Sequence, residues 1–159
     1  MNNFKFSNFV KAEFFDKFGV KYAEEYVPNG VTTVGLNHIL GSTFHAETQK
    51  TTWYVGLIDN AGTPTLAAAD TMASHTWTEC TAYAGDRKEW TEGAAAAGVM
   101  TNAVTVDFAI NDTKTLYGVF INTDATGTAG ILWATAAFAA TQAVNNGDTV
   151  KITYTITAS

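Results

Sequence analysis

Hydrophobic residues near the N-terminus recur with the spacing of one helical face. The repeat consists of Val10, Phe14, Phe18 and Tyr22. Side chains four residues apart lie on the same side of an α-helix, so this pattern predicts an amphipathic helix over about residues 7–26. Ser7 is a suitable N-cap. The sequence Val-Pro-Asn-Gly at residues 27–30 predicts the end of the helix, because the residue before proline avoids helical geometry.

A second apolar cluster follows the proline and predicts a shorter, connecting helix over about residues 32–42. Its members are Val31, Val34, Leu36, Ile39 and Leu40. Gly35 and Gly41 lower the helical propensity of this segment. Together the two helices make residues 1–50 a predicted N-terminal helical arm.

From residue 51 onward the hydrophobic pattern changes to a period of two. Alternating or β-branched segments predict strands at residues 52–58, 76–83, 104–110, 116–121, 131–138 and 150–156. A polar turn sequence at residues 111–114 joins two of these segments, which predicts a hairpin. The alanine-rich residues 66–74 predict a single helical turn.

Short strands without intervening helices favour a mainly β, antiparallel fold. The predicted architecture is an antiparallel β-sandwich or jelly-roll-like domain over residues 51–159, preceded by the helical arm of residues 1–50. A chain of 159 residues suits one such domain with an appendage.

Charged residues are scarce and mostly acidic. They make up 15% of the chain, where roughly 25% is typical of soluble proteins. The surface must therefore consist largely of small polar residues, or be covered by a partner. The net charge of -6 argues against binding to nucleic acid or to an anionic membrane, since both require positive charge on the protein.

Cysteine content and the N-terminal sequence bear on the cellular compartment. Cys80 is the only cysteine, so no intrachain disulfide can form. Residues 1–10 lack the apolar run of a signal peptide, which predicts synthesis and folding in a cytoplasm. No segment reaches the roughly 18 apolar residues that a membrane-spanning helix needs.

Residues that carry chemistry are present, but not in catalytic or metal-binding patterns. His38, His45 and His75 have no second histidine or cysteine at the spacing of a metal site. No serine lies in the sequence context of a hydrolase nucleophile. Cys80 lies in an alternating strand, where a small packed residue is the simpler interpretation. The sequence therefore predicts neither a metal nor a cofactor.

Two alternatives with a chemical role stay open. A hydrolase could use a pair of carboxylates, and the candidates are Asp59, Asp70, Asp86, Glu89, Glu92 and Asp107. Carbohydrate could stack on exposed aromatic rings of the β region, which are those of Trp53, Tyr54, Trp77, Tyr83, Trp90 and Trp133. A core or subunit interface is the favoured role of these rings, because aromatic residues dominate core and interface energetics. The overall prediction is a protein that is not an enzyme.

Several sequence runs resemble small virion structural proteins of tailed bacteriophages. The runs lie at residues 34–40, 51–59, 66–75, 103–110 and 116–120. The resemblance extends from about residue 31 to the C-terminus and leaves residues 1–30 outside. It implies a head decoration, or cement, protein on the capsid surface, which binds the major capsid protein as a dimer or trimer and has no catalytic residues.

In this interpretation the N-terminal arm binds the partner. The predicted partner-binding residues are Phe4, Phe6, Phe9, Phe14, Phe15 and Phe18. A soluble monomer rarely leaves so dense an apolar segment exposed, so the arm would dock on capsid subunits and stabilise their contacts. The alternative is that the arm packs on its own β domain.

A second functional hypothesis is a tail-associated or receptor-binding module that recognises host surface glycan. Such a module would use the aromatic face of the sheet or the loops at residues 59–64 and 122–130.

Overall fold

The structure of the protein, a computed structural model, describes residues 5–158. Within this range the chain forms one helix, α1 (Thr33–Phe44), and ten strands. The strands are β1 (Phe6–Phe15), β2 (Lys21–Val31), β3 (Tyr54–Asp59), β4 (Thr78–Cys80), β5 (Lys88–Glu89), β6 (Val99–Thr101), β7 (Val106–Ala109), β8 (Lys114–Asn122), β9 (Leu132–Val144) and β10 (Thr149–Ala158). All strand pairings are antiparallel. The predicted mainly β, antiparallel class is confirmed.

The predicted N-terminal helix over residues 7–26 is wrong, because this segment forms the hairpin of β1 and β2. A spacing of four residues is also a multiple of two, so a strand places Val10 and Phe14 on one face just as a helix does. Ala12 lies between them, and all three side chains are fully buried. The first two residues of the repeat, Val10 and Phe14, therefore belong to the inner face of a strand, while Phe18 lies in the hairpin turn and Tyr22 in β2.

Strand β1 lies inside the sheet and bonds on both sides. Its pairing with β2 begins at Asn8, which lies opposite Asn29. Its pairing with β10 runs from Phe6, opposite Ala158, to Phe15, opposite Thr149. The N-terminal segment is thus part of the folded β structure and not a helical arm.

The sheet is continuous from one half of the molecule to the other. Its strand order is β4-β3-β8-β9-β2-β1-β10-β6, with β5 beside β3 and β7 beside β10. The join between the halves lies at the end of β2, where Gly30 and Val31 pair with Thr135 and Ala134 of β9. The structure therefore shows one curled antiparallel sheet, and the predicted sandwich or jelly-roll arrangement is not confirmed. Strands from both sides of residue 50 share this sheet.

A buried carboxylate also links β2 to β9. Glu25 accepts hydrogen bonds from the backbone N–H of Ala139 at 2.9 Å and from Nε2 of Gln142 at 2.6 Å. Because a buried charge is costly unless it is hydrogen-bonded, these two bonds hold the junction of the two halves together.

The shorter predicted helix is confirmed as α1. Its N-cap is Thr32, whose hydroxyl accepts a hydrogen bond from the Gly35 N–H at 3.1 Å. Gly35 has a structural reason to be in this helix: a Cβ there would lie 2.7 Å from the carbonyl oxygen of Trp133. Glycine allows α1 to approach β9 closely.

The predicted hairpin over residues 104–121 is wrong, although both of its strands exist. β7 pairs with β10, with Phe108 opposite Val150, while β8 pairs with β3 and β9. The link between β7 and β8 therefore passes from one half of the sheet to the other. The alternation of apolar and polar residues shows which face of a strand is buried, but it does not show which strand pairs with it.

The core lies between the two halves of the curled sheet. Phe14 of β1 packs edge-on against Phe138 of β9, with ring centroids 5.6 Å apart. A smaller cluster lies under the loop between β3 and β4, formed by Ile58, Met72, Trp77, Phe120 and Leu132. Residues 66–74 form turns in this loop and not the predicted helical turn.

A pair of substitutions distinguishes the hairpin from the predicted helix. Phe14 is fully buried and Phe18 is 80% exposed, whereas on a helix the two would share one face. We expect Phe14→Ala to lower the free energy of unfolding by roughly 3–5 kcal/mol, and the matched Phe18→Ala to change it by less than about 0.5 kcal/mol. Urea unfolding of both variants measures this difference. Equal losses would contradict the strand assignment.

Candidate functional site

The predicted partner-binding phenylalanines fall into different environments. Phe14 belongs to the core, and Phe6 packs edge-on against Trp133 at 5.8 Å. Phe9 stacks on Tyr26 at 5.3 Å on the outer face of the hairpin, and Phe15 lies 5.7 Å from the ammonium of Lys151. Phe18 is exposed, and Phe4 lies outside the described residues. The structure therefore does not bring these residues together as one surface.

The tip of the β1–β2 hairpin presents apolar side chains to solvent. The carboxylate of Asp16 accepts hydrogen bonds from the N–H groups of Phe18 and Val20, both at 2.9 Å, and Gly19 adopts a φ of 80°. This turn holds Phe18 and Val20 outward, where they are 80% and 61% exposed. Phe18 and Val20 together form a small exposed apolar patch on this fixed turn. We call it the hairpin tip.

Beside the hairpin tip, the outer face of β1 and β2 carries a compact ion-pair network. Nζ of Lys21 lies 2.6 Å from Glu24 and 3.3 Å from Glu13, and Nζ of Lys11 lies 3.1 Å from Glu13. The hydrogen bond to Glu24 is the main cause of the raised pKa of Lys21, and the same bond lowers the pKa of Glu24. The charges compensate one another, so this face is polar but locally neutral.

Helix α1 exposes a second apolar surface. Gly35 and His38 are its buried residues. On the exposed side Leu36, Leu40 and Phe44 are 40%, 56% and 81% exposed. Their spacing of four residues places them on one stripe along the helix. We call this the α1 stripe.

A cavity of about 530 Å³ opens between α1, the start of β1 and the segment around residues 90–100. Its aromatic walls are Phe6, Trp53, Trp90 and Trp133. Trp53 and Trp133 meet edge-on, with ring centroids 6.3 Å apart. Trp90 is positioned by its backbone N–H, which donates to the Trp53 carbonyl at 2.8 Å. We call this the tryptophan cavity.

Polar groups surround the mouth of the tryptophan cavity. Gln49, Lys50 and Glu92 line it with exposed side chains. His38 lines it from α1; its side chain is buried and its Nδ1 lies 2.5 Å from a carboxylate oxygen of Glu47. The cavity thus combines an apolar interior with hydrogen-bonding groups at its rim.

The two loops considered for glycan binding differ in how they are held. Arg87 fixes the loop at residues 122–130: its guanidinium donates to both carboxylate oxygens of Glu79, at 2.8 and 2.7 Å, and to the carbonyls of Asp124 and Gly127. The loop at residues 59–64 has a local turn, in which Asp59 accepts from the N–H of Ala61 at 3.0 Å. Arg87 is the only arginine of the chain, and its planar guanidinium suits the bidentate pairing with Glu79.

The remaining chemically reactive residues occupy structural positions. Cys80 is fully buried in β4, and burial raises the pKa of its thiol. Nδ1 of His75 lies 2.8 Å from the carbonyl oxygen of Trp77. Within the described chain, no group of three or more His, Cys, Asp or Glu side chains is placed to hold a metal ion. Among residues 5–158, no helix is long and apolar enough to cross a membrane.

Comparison with known proteins shows the family to which the chain belongs. The sequence model of a family described as "Podophage GP4 fiber I protein gp80" matches residues 30–157. The chain belongs to this family. The gp80 fiber family match includes α1, β3 to β9 and nearly all of β10, while β1 and almost all of β2 precede it. A search of curated proteins finds no match to this chain.

Membership of the gp80 fiber family confirms the coarser part of the sequence resemblance. The chain is a structural protein of the phage virion, and the match starts at residue 30, close to the limit of about residue 31 inferred from the sequence. The specific resemblance to head decoration proteins is not confirmed, because the matching family is described as a fiber protein.

Proposed function

We propose that this chain is a non-enzymatic, tail-associated fiber subunit of a phage virion. The observation that supports this proposal is the match of most of the chain to a family described as a podophage fiber protein. It favours the tail-associated hypothesis over binding to the major capsid protein as a cement protein. The detachable aromatic arm that motivated the cement hypothesis is replaced by strands inside the sheet.

Docking to the rest of the virion is assigned to the hairpin tip. Among the five described phenylalanines of the predicted partner-binding set, Phe18 has the side chain that is largely exposed, and Val20 lies beside it. Burying two such side chains stabilises a contact by roughly 1.5–3 kcal/mol each before ordering costs. The turn fixed by Asp16 presents both residues without a further change of the backbone.

Self-association is assigned to the α1 stripe. Fiber subunits have to contact one another as well as the virion, and the stripe is separate from the hairpin tip along the chain. Leu36, Leu40 and Phe44 form a row that another copy can bury, in an isologous contact in a dimer or in a heterologous contact in a trimer. The proposed assembly is a homo-oligomer, a dimer or trimer.

Binding to defined particles tests the tail assignment. Purified protein is mixed with phage particles that lack it, in one series with tails and in another as tailless heads, and co-sedimentation is measured. We expect saturable binding to tailed particles only. Phe18→Ser should weaken this binding about tenfold or more, while Val104→Ser, which alters an equally isolated exposed residue, should not. Equal binding to tailless heads would contradict the proposal and favour a cement protein.

Light scattering after size-exclusion chromatography tests the α1 stripe. We expect the native protein to elute as a dimer or trimer and Leu40→Glu to elute as a monomer, because a charge cannot be buried in an apolar contact without a partner. Val104→Glu is the matched control, since it adds the same charge at an exposed apolar position outside α1. A monomeric native protein, or an unchanged Leu40→Glu oligomer, would contradict this assignment.

A further inference from the structure

The tryptophan cavity has no role in the proposed assembly contacts. It lies beside the buried side of α1, where His38 and Ile39 line it, and not beside the α1 stripe or the hairpin tip. Three of the four tryptophans of the chain contribute to its wall. Such a concentration of rings around one opening requires a separate explanation.

The cavity has the size and composition of a small-molecule site. Its volume of about 530 Å³ falls within the usual range of ligand pockets, which are lined mainly by apolar and aromatic side chains with a few polar groups. Trp53 is half-buried, so part of its surface is open to solvent, while Trp90 and Trp133 are each 3% exposed. Trp53 therefore presents more of its ring to a ligand than Trp90 or Trp133 does.

We propose that the tryptophan cavity binds a neutral sugar residue, a hexopyranose of a bacterial surface glycan. A pyranose ring has an apolar C–H face that packs on an aromatic ring and a rim of hydroxyl groups that needs donors and acceptors. Trp53 supplies the ring, and Gln49, Lys50 and Glu92 supply both kinds of polar group. The choice of a surface glycan as the source of the sugar rests on the proposed fiber function.

Other classes of ligand fit less well. The net charge of -6 disfavours nucleotides and other anions, and the positive charge of Lys50 at the rim is offset by Glu92. A lipid chain would make no use of the donors and acceptors at the rim. A neutral, hydroxylated ligand matches both the interior and the rim.

The test is saturation-transfer difference NMR of the full chain with the methyl glycosides of glucose, galactose, N-acetylglucosamine and rhamnose. We expect saturation of the ring C–H protons of at least one glycoside, and Trp53→Ala should lower its affinity about tenfold or more. Glu92→Gln should weaken binding several-fold. The matched control is Glu89→Gln, which should not weaken binding, because Glu89 directly precedes Trp90 but does not line the cavity.

Two results would overturn the inference: no saturation transfer to any of the four glycosides, or native affinity in both Trp53→Ala and Glu92→Gln. Glu92 is exposed, so its variant remains informative even if Trp53→Ala does not fold. The same variants are tested for binding to tailed particles. Binding to tailed particles without binding to any glycoside would contradict the sugar site and support the fiber function. Binding to a glycoside without binding to tailed particles would support the sugar site and contradict the fiber function.

Discussion

Strand β1 bonds to β2 on one side and to β10 on the other, and the rest of the molecule depends on this double pairing. Through β2 it connects the half of the sheet that contains β10, β7 and β6 to the half that contains β9, β8 and β3. Its inner side chains Val10, Ala12 and Phe14 are fully buried in the shared core. Phe6, at the start of the same strand, completes the wall of the tryptophan cavity.

This arrangement gives the segment before the family match a structural role. The gp80 fiber family match begins at residue 30, yet β10 within the match has β1 as its longest partner. The same hairpin presents the exposed Phe18 and Val20 at its tip. One element therefore supports the core with one face and carries the proposed docking surface at its end. A docking site built in this way is fixed by the core behind it.

The sequence predicted α1 and most of the strands after residue 51, because a single period explains each of them. It failed for β1 since the four-residue spacing of Val10 and Phe14 fits a helix and a strand equally, and the outward Phe9 and Phe15 concealed the alternation. The pattern also could not predict which strands pair with one another: β7 and β8 follow each other in the chain but do not form the predicted hairpin. Trp53, Trp90 and Trp133 were recognised as a possible sugar platform, but only the fold brings these distant residues around one cavity.

Amide hydrogen exchange followed by NMR tests the central claim most directly, because it reports whether β1 is a member of the core in the intact protein. The account predicts that the amides of residues 8–14 exchange as slowly as those of β10 and β9, through global unfolding. Rapid exchange of residues 8–14, with β8 and β9 still protected, would show instead a detachable N-terminal segment and would contradict the structure of the sheet described here.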